Sequence, residues 1–394
     1  MSFIADKQTL DDLNLLGKYK SNAIFGLFDK VQTEGGERLL EQMFRHPLTD
    51  AAAINHRSGI LRWFGEKAAA FPFNKEEFTL MENYLGTGTA GGTLMTGLDT
   101  VRKKLMHFAG LDKEYPVLEE GLYTTMMLLH RLDVFLSHLE EGIWESPFRK
   151  ELRSVKEILS SPALDWLAKE QGNRRLPLRK IVRYDNTLRL VLKKELEGVL
   201  QVVYQLDVYI AVSAVARTKG FSYALALPKG DRCIRIRDCR HPGIEKAVSN
   251  SVSMRSGSNV LFLTGANMAG KSTFMKSFSI ALYLAHMGFP VAASAMEFSV
   301  MDGIYTSINV PDNLQLGYSH FYAEVRRVKA VAEDVSAGRR LLVIFDELFK
   351  GTNVKDAYDA TLAVTEAFSG YPDCLFIIST HIIEVAEALK ERSR

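Results

Sequence analysis

Cysteine is scarce in this chain of 394 residues, and the three present (Cys233, Cys239 and Cys374) lack C-x-x-C spacing. That removes the paired-thiol motif and fits reduced thiols in a cytosol. Charge of one sign is also lacking: 49 Lys and Arg against 47 Asp and Glu leave a net +2. A globally basic surface is excluded, so any nucleic-acid contact has to come from a local patch. The opening MSFIADKQ has no apolar run behind a basic one and is not a signal peptide. One uncharged stretch, Phe278 to Met296, imitates a membrane span, but Gly288 and Pro290 break it. It reads as a buried helix followed by a buried strand, and no membrane association is expected. What remains is globular, 47% hydrophobic and 24% charged, at a length suited to two or three domains.

The most informative stretch is NVLFLTGANMAGKSTF at 259–274. An apolar run from Val260 to Leu263 reads as a buried strand and empties into Gly265-Ala266-Asn267-Met268-Ala269-Gly270-Lys271-Ser272. That is G-x-x-x-x-G-K-[ST], the phosphate-binding P-loop. The glycines let consecutive backbone N–H groups turn inward on phosphate oxygens, where a Cβ would obstruct the approach. Lys271 brings a point charge to the outer phosphates, and Ser272 is placed to ligate Mg2+. The helix expected from Phe274 to Met287 aims its positive end at the same anion.

Residues 1–220 read as almost entirely helical and 221–394 as α/β. Asn74 before Lys75-Glu76-Glu77 is a cap signal, and His46-Pro47 is a helix stop. Apolar residues at Leu122, Met126, Leu129, Leu132, Leu136 and Leu139 mark one helical stripe. A second runs from Leu188 through Leu192, Leu196, Val199, Val203, Leu206 and Ile210 to Ala214. A helix from about 186 to 219 would run roughly 50 Å, suiting one arm of an antiparallel lever. At the presumed turn between arms, Arg174, Arg175, Arg179, Lys180, Arg183, Arg189, Lys193 and Lys194 face only Asp185 as a local acid. The first five are the candidate phosphate-backbone contacts with DNA.

Beyond the β-like alternation of 221–245, strand and helix alternate as in a mostly parallel sheet covered on both faces. Strands are expected near 259–264, 303–308, 340–346 and 374–379, and helices near 271–287, 319–336, 356–368 and 382–391. Leu341 to Phe345 is apolar and ends in Asp346-Glu347. Asp346 is placed to hold Mg2+, and Glu347 to polarise the attacking water. Phe376-Ile377-Ile378-Ser379-Thr380 leads to His381, a candidate donor to the terminal phosphate. A P-loop, an acidic strand and such a histidine, in this order, form the layout of ABC-type ATPases.

These residues carry a close resemblance to the MutS family of DNA mismatch-repair ATPases. TGANMAGKST, through Thr273, is similar to the family's P-loop with its Asn-Met pair. DELFKGTNVKDA resembles its acidic strand and following Gly-Thr, and STHIIEVAEAL its Thr-His strand end. Arg240-His241-Pro242-Gly243-Ile244-Glu245 matches the Arg-His-Pro-x-x-Glu approach to the ATPase domain. Leu316-Gly317-Tyr318-Ser319-His320-Phe321-Tyr322-Ala323-Glu324 resembles the signature segment. Upstream, Thr33-Glu34-Gly35-Gly36-Glu37-Arg38-Leu39-Leu40 and Gln205-Leu206-Asp207-Val208 resemble parts of its helical core and last lever helix.

The resemblance implies an all-α core/lever domain over 1–220 followed by an ABC-type P-loop ATPase domain over 221–394. It implies a Mg2+-dependent ATPase in which Gly265, Asn267, Met268, Gly270, Lys271, Ser272 and Thr273 hold ATP. Lys271, Glu347 and His381 would serve hydrolysis, with Ser272 and Asp346 on the metal and Ser319 completing the site of a partner subunit in a homodimer. Several departures are expected: no mismatch-reading domain before residue 10, a clamp near 142–185 reduced or absent, and no C-terminal dimerisation segment. Val248 and Ser249 stand where the family offers an aromatic for adenine, and His320 and Lys350 replace its Thr and Arg. Lys350 keeps the charge but not a bidentate fork. The expected function is a cytoplasmic, nucleotide-gated clamp on DNA, acting in mismatch repair or on branched or distorted duplexes. The alternative is an ATP-dependent scaffolding protein with negligible turnover. A transporter motor is disfavoured, because the helical region comes first and Leu-Ser-Gly-Gly-Gln is absent.

Overall fold

The computed structural model describes residues 2–17, 23–87, 93–108, 114–143, 145–266, 269–308, 320–350 and 352–392. Two compact units form, and each is assembled from separate stretches of chain. One combines residues 1–29, 41–65 and 212–394, and the other 30–40 and 66–211. The expected division fell at 220/221. The compact units are not consecutive in sequence, and the ATPase-like half is joined by two N-terminal segments.

The second unit is helical. Glu114–Ile143 carries the first predicted stripe, and Leu122, Leu129, Leu132 and Leu136 on it are at most 1% exposed. Asn74 caps Lys75–Gly86 by accepting from the Glu77 N–H at 2.9 Å, as its sequence signal requires. The long helix departs from expectation at its start. It begins at Leu178, passes through a π-helical turn at Thr187–Val191, and resumes as Lys193–Lys219. The wider turn brings the consecutive residues Leu188 and Arg189 both inside. Arg189 grips the buried Asp185 with two bonds of 2.6 Å each, and Tyr84 donates to the same carboxylate at 2.7 Å. Asp185 is thus consumed internally and cannot balance the surface cations.

In the first unit the strands Val260–Leu263 (β1), Gly303–Ser307 (β2), Leu341–Asp346 (β3) and Leu375–Ser379 (β4) form one parallel sheet. Its order is β1-β4-β3-β2. The helices Lys271–His286 (α1), His320–Ser336 (α2), Val354–Ser369 (α3) and Ile383–Arg392 (α4) alternate with them as the pattern predicts. Near-continuous apolar strands are what a sheet buried on both faces demands, and Leu341 to Phe345 are at most 1% exposed. Phe368 of α3 stacks between Phe345 and Phe376, with centroids 6.0 and 4.8 Å away.

Residues 221–394 contain the expected parallel sheet and one more that is mixed. A second four-stranded sheet joins Leu225–Leu227, Ala295–Ser299, Cys233–Cys239 and Asn250–Arg255, with one parallel and two antiparallel pairings. The uncharged stretch from Phe278 is, as expected, mostly buried helix followed by strand. Among the described residues, one helix is long and apolar enough to cross a membrane, Lys193–Lys219, and its apolar window is 67% buried.

The N-terminal segment extends the parallel sheet at its β2 edge. Ile4 donates to Asp302 O at 2.9 Å and accepts from the Ile304 N–H at 2.8 Å. A Cβ on Gly303 would lie 2.4 Å from the Ile4 carbonyl oxygen, so glycine is needed there. Arg327 of α2 ties the same segment down through Asp6 and donates to Thr306 O at 2.6 Å.

Candidate nucleotide site

The C-terminal ends of β1, β3 and β4 meet at one place because β4 lies between the other two. Beyond β1 the chain turns through Gly265, at φ 148°, and Gly270, at φ 89°, before α1 begins at Lys271. Both values lie where L side chains are strained. Among the described residues, a Cβ would meet nothing within 4 Å at Gly270 and only Ala269 Cβ, at 4.0 Å, at Gly265. Against those residues the glycines are required by dihedral angle and not by crowding. Lys271 folds back over the turn, its Nζ donating to Gly265 O at 2.7 Å and Ala266 O at 3.1 Å. Ser272 and Thr273 are exposed in the first turn of α1, where helix N–H groups face outward and favour an anion. Asn267, Met268 and Ser319 lie outside the described residues.

Ser272 donates its hydroxyl to Asp346 Oδ2 at 2.5 Å. The partners come from the first turn of α1, which follows β1, and from the end of β3, two strands from β1, so the contact spans the end of β4. Mg2+ takes hard oxygen donors and is commonly held by one or two carboxylates together with substrate phosphates. One carboxylate and one hydroxyl, side by side at a helix N-terminus, fit that role. No cluster of three His, Cys, Asp or Glu side chains among the described residues offers a protein-only metal cage.

Glu347 follows in a left-handed conformation, φ 57°. Its N–H donates to Ser379 O at 3.0 Å and to Ser379 Oγ at 3.2 Å. One carboxylate oxygen contacts His381 Nε2 and the other Lys350 Nζ. Burial opposes ionisation of Glu347, but Lys350 and then His381 outweigh it and hold the carboxyl below its usual range. A carboxylate kept ionised beside a histidine has the chemistry to orient and polarise water.

Gly265, Gly270, Lys271, Ser272, Asp346, Glu347 and His381, all marked out by their sequence context, thus share one neighbourhood. Ser379 was not among them, although it is fully buried and bonds the side chain of one acid and the backbone of the next. The available signal was a lone hydroxyl ending an otherwise apolar strand. Arg240, read as part of an approach motif, has a structural task. Its guanidinium donates to Lys219 O at 3.0 Å and caps the end of the long helix. Val248 is 83% exposed and contributes no stacking surface. An open cavity of about 590 Å3 lies elsewhere, against the mixed sheet near Arg235, Arg237 and Glu297.

The five cations proposed for DNA are in the helical unit, and all are exposed. Two of the five are already engaged, one of them by an acid other than the Asp185 expected from sequence. Lys180 donates to Glu170 at 2.5 Å, and Arg174 lies over the Tyr123 ring at 5.0 Å.

The fold and this neighbourhood define a protein with a helical unit and an α/β unit whose parallel sheet presents a glycine-rich loop beside two acids. Comparison with known proteins shows what it is similar to. Residues 261–394 match MutS domain V. The DNA mismatch repair protein MutS of Halalkalibacterium halodurans is 26% identical, over 94% of this chain and 42% of its own length. That of Fusobacterium nucleatum is 24% identical over 98% of this chain and 53% of its own. That of Thermus thermophilus is 34% identical over 50% of this chain and 24% of its own. The chain is thus similar to MutS proteins over most of its own length, with the domain V match confined to 261–394, and it spans between a quarter and about half of these relatives' lengths.

Proposed function

We propose that this chain is a Mg2+-dependent ATPase of the MutS type, working as a nucleotide-gated clamp on DNA in the cytoplasm. Residues 1–220 would supply the core and lever, and 221–394 the P-loop ATPase domain. The observation that carries the reading is the 2.5 Å contact between Ser272 and Asp346, with Glu347 next in sequence. It joins the two halves of a nucleotide site that are 74 residues apart.

In this reading the 265–273 loop and the N-terminus of α1 bind the phosphates, with Asn267 and Met268 completing the loop. Lys271 exchanges its carbonyl partners for phosphate oxygens. Ser272 and Asp346 hold Mg2+, which when bound neutralises charge on the phosphoryl group being transferred. Glu347 orients water, and His381 holds the catalytic carboxylate and the terminal phosphate in register. Ser319 of a second copy closes the site, so two chains share two nucleotides, and closure moves the helical arms on mismatched, branched or distorted DNA.

One feature favours a scaffolding role with negligible turnover instead. Both oxygens of Glu347 are engaged, by Lys350 and by His381. The two readings separate on binding to homoduplex, mismatched and four-way-junction DNA at several salt concentrations, with and without ATP, alongside steady-state hydrolysis. ATP-altered binding with turnover supports the clamp. ATP-altered binding without turnover supports the scaffold, and binding indifferent to ATP overturns both. Loss of turnover in Ser319→Ala, at unchanged nucleotide affinity, is expected if the site is shared.

A further inference from the structure

Ser379 is the last residue of β4 and has no exposed surface. Parallel pairing sets it opposite Leu263 on one side and Asp346 on the other. Its hydroxyl donates to Asp346 Oδ1 at 2.5 Å and accepts from the Glu347 N–H at 3.2 Å. Its carbonyl accepts from that same N–H at 3.0 Å. One residue therefore fixes the side chain of the first acid and the backbone of the second.

The consequences follow from how each acid is held. A carboxylate turns freely about its last bond unless both oxygens are assigned. With Oδ1 taken by Ser379, Oδ2 is the oxygen presented to Ser272. Glu347 stands in a left-handed conformation that a non-glycine residue adopts only when its surroundings insist. The two acceptors of Ser379 supply that insistence and turn the Glu347 side chain toward Lys350 and His381.

We propose that Ser379 is a positioning residue that assigns the two adjacent acids their separate tasks, Asp346 facing the hydroxyl of Ser272 and Glu347 facing His381. For its functional meaning this role rests on the nucleotide-site reading above, and for its structural content on the hydrogen bonds that Ser379 makes to Asp346 and Glu347. Two tests keep these apart. Ser379→Ala removes one oxygen and adds nothing, so the strand packing is retained.

The first test needs no ligand. Urea unfolding of Ser379→Ala, Asp346→Ala and the double variant forms a cycle. A double-variant loss smaller than the sum of the single losses is expected, and strict additivity overturns the proposal. The second test measures binding of Mn2+ in the presence of ADP by electron paramagnetic resonance. Loss of an outer partner that orients a metal ligand lowers metal affinity by about 10- to 100-fold. Ser379→Ala should show that loss, and Ser379→Thr, which keeps the hydroxyl, should recover most of it. Parental Mn2+ affinity in Ser379→Ala overturns the proposal. In hydrolysis, kcat should fall while the KM for ATP stays close to parental. Parental protein that holds no Mn2+–nucleotide would end the ATPase reading, and the unfolding cycle would still decide whether Ser379 orients Asp346.

Discussion

Thr33 donates both its backbone N–H and its hydroxyl to one carboxylate oxygen of Asp207, each at 2.7 Å. The Gln32 N–H reaches the two oxygens of the same carboxylate at 3.0 and 2.9 Å. The Thr33 hydroxyl in turn accepts from the Gly36 N–H at 2.9 Å. Thr33 is therefore the N-cap of the helix Glu34–Arg45, and Asp207 holds the cap. Space explains the two glycines that follow. A Cβ on Gly35 would lie 2.4 Å from the Tyr204 ring, and one on Gly36 would lie 2.6 Å from Asp207 Oδ2. The Thr-Glu-Gly-Gly run is thus a docking surface for the long helix.

Removing that acceptor should be costly. Asp207→Ala leaves several buried donors unpaired, and hydrogen bonds to a charged group contribute about 1.5–3 kcal/mol. Gly36→Ala should cost about 1–3 kcal/mol through overpacking against the same carboxylate. Urea unfolding of each variant measures both. Because the two act on one contact, the losses should not add. Independent, additive losses would show that the cap and the close approach are separate features.

His286, at the C-terminal end of α1, gives a pH dependence with a definite sign. It is fully buried, with Nδ1 2.8 Å from Leu48 O and Nε2 accepting from the Met301 N–H at 3.3 Å. That pattern is satisfied by the neutral ring with its proton on Nδ1. Burial lowers its pKa from 6.5 to about 4. In the unfolded chain the ring keeps its ordinary value, so between these limits the unfolded state binds the extra proton. Stability from this group is complete above about pH 6.5 and is lost as pH falls toward 4, by about 3 kcal/mol over the window. Unfolding free energies from pH 7 to 4 should show this slope in the parent and lose it in His286→Gln. Parallel slopes in the two proteins would show that other groups govern acid unfolding.

Glu347 and Lys350 make the next prediction kinetic. Removing a general base costs about 10²- to 10⁴-fold, so Glu347→Gln should slow turnover at least a hundredfold while nucleotide still binds. Lys350→Gln acts differently. Lys350 is the leading influence that lowers the Glu347 pKa. Without it the carboxyl regains a higher pKa, and the acid limb of the kcat–pH profile should move to higher pH. An unmoved limb would show that another group controls ionisation in the turnover complex.

Much of this site was legible because strand and helix spell themselves out locally. Four apolar runs, each ended by a polar or acidic residue, became β1 to β4 within a residue or two of expectation. Their spatial order was not legible, since periodicity states which residues are buried but not which strand is the neighbour. The double role of Ser379 follows from β4 lying between β1 and β3 and was invisible for that reason. The same limit hid the interleaved units, because an apolar stripe does not name the surface that covers it. The π-helical turn at 187–191 was missed because the leucine spacing from Leu188 onward reads as ordinary helix, and nothing in that spacing marks Arg189 as buried beside Leu188.

The cations of the helical unit differ in what they already bind. Lys180 is paired with Glu170, which also accepts from Tyr184 at 3.0 Å. Its replacement should disturb that local network more than any electrostatic contact with DNA. Arg175, Arg179 and Arg183 are exposed and are the cations left to meet phosphates. Each neutralised phosphate releases about one counterion, so giving up one such pairing should flatten the plot of log K against log salt by about one. Exchanging the three for Glu should therefore weaken duplex binding across all sequences and shrink the salt slope by roughly the number of phosphates no longer neutralised. Lys180→Gln should leave the slope nearly parental. If the charge-reversed protein binds with the parental slope, this surface is an ordinary solvated face, and the DNA contacts must be sought elsewhere on the chain.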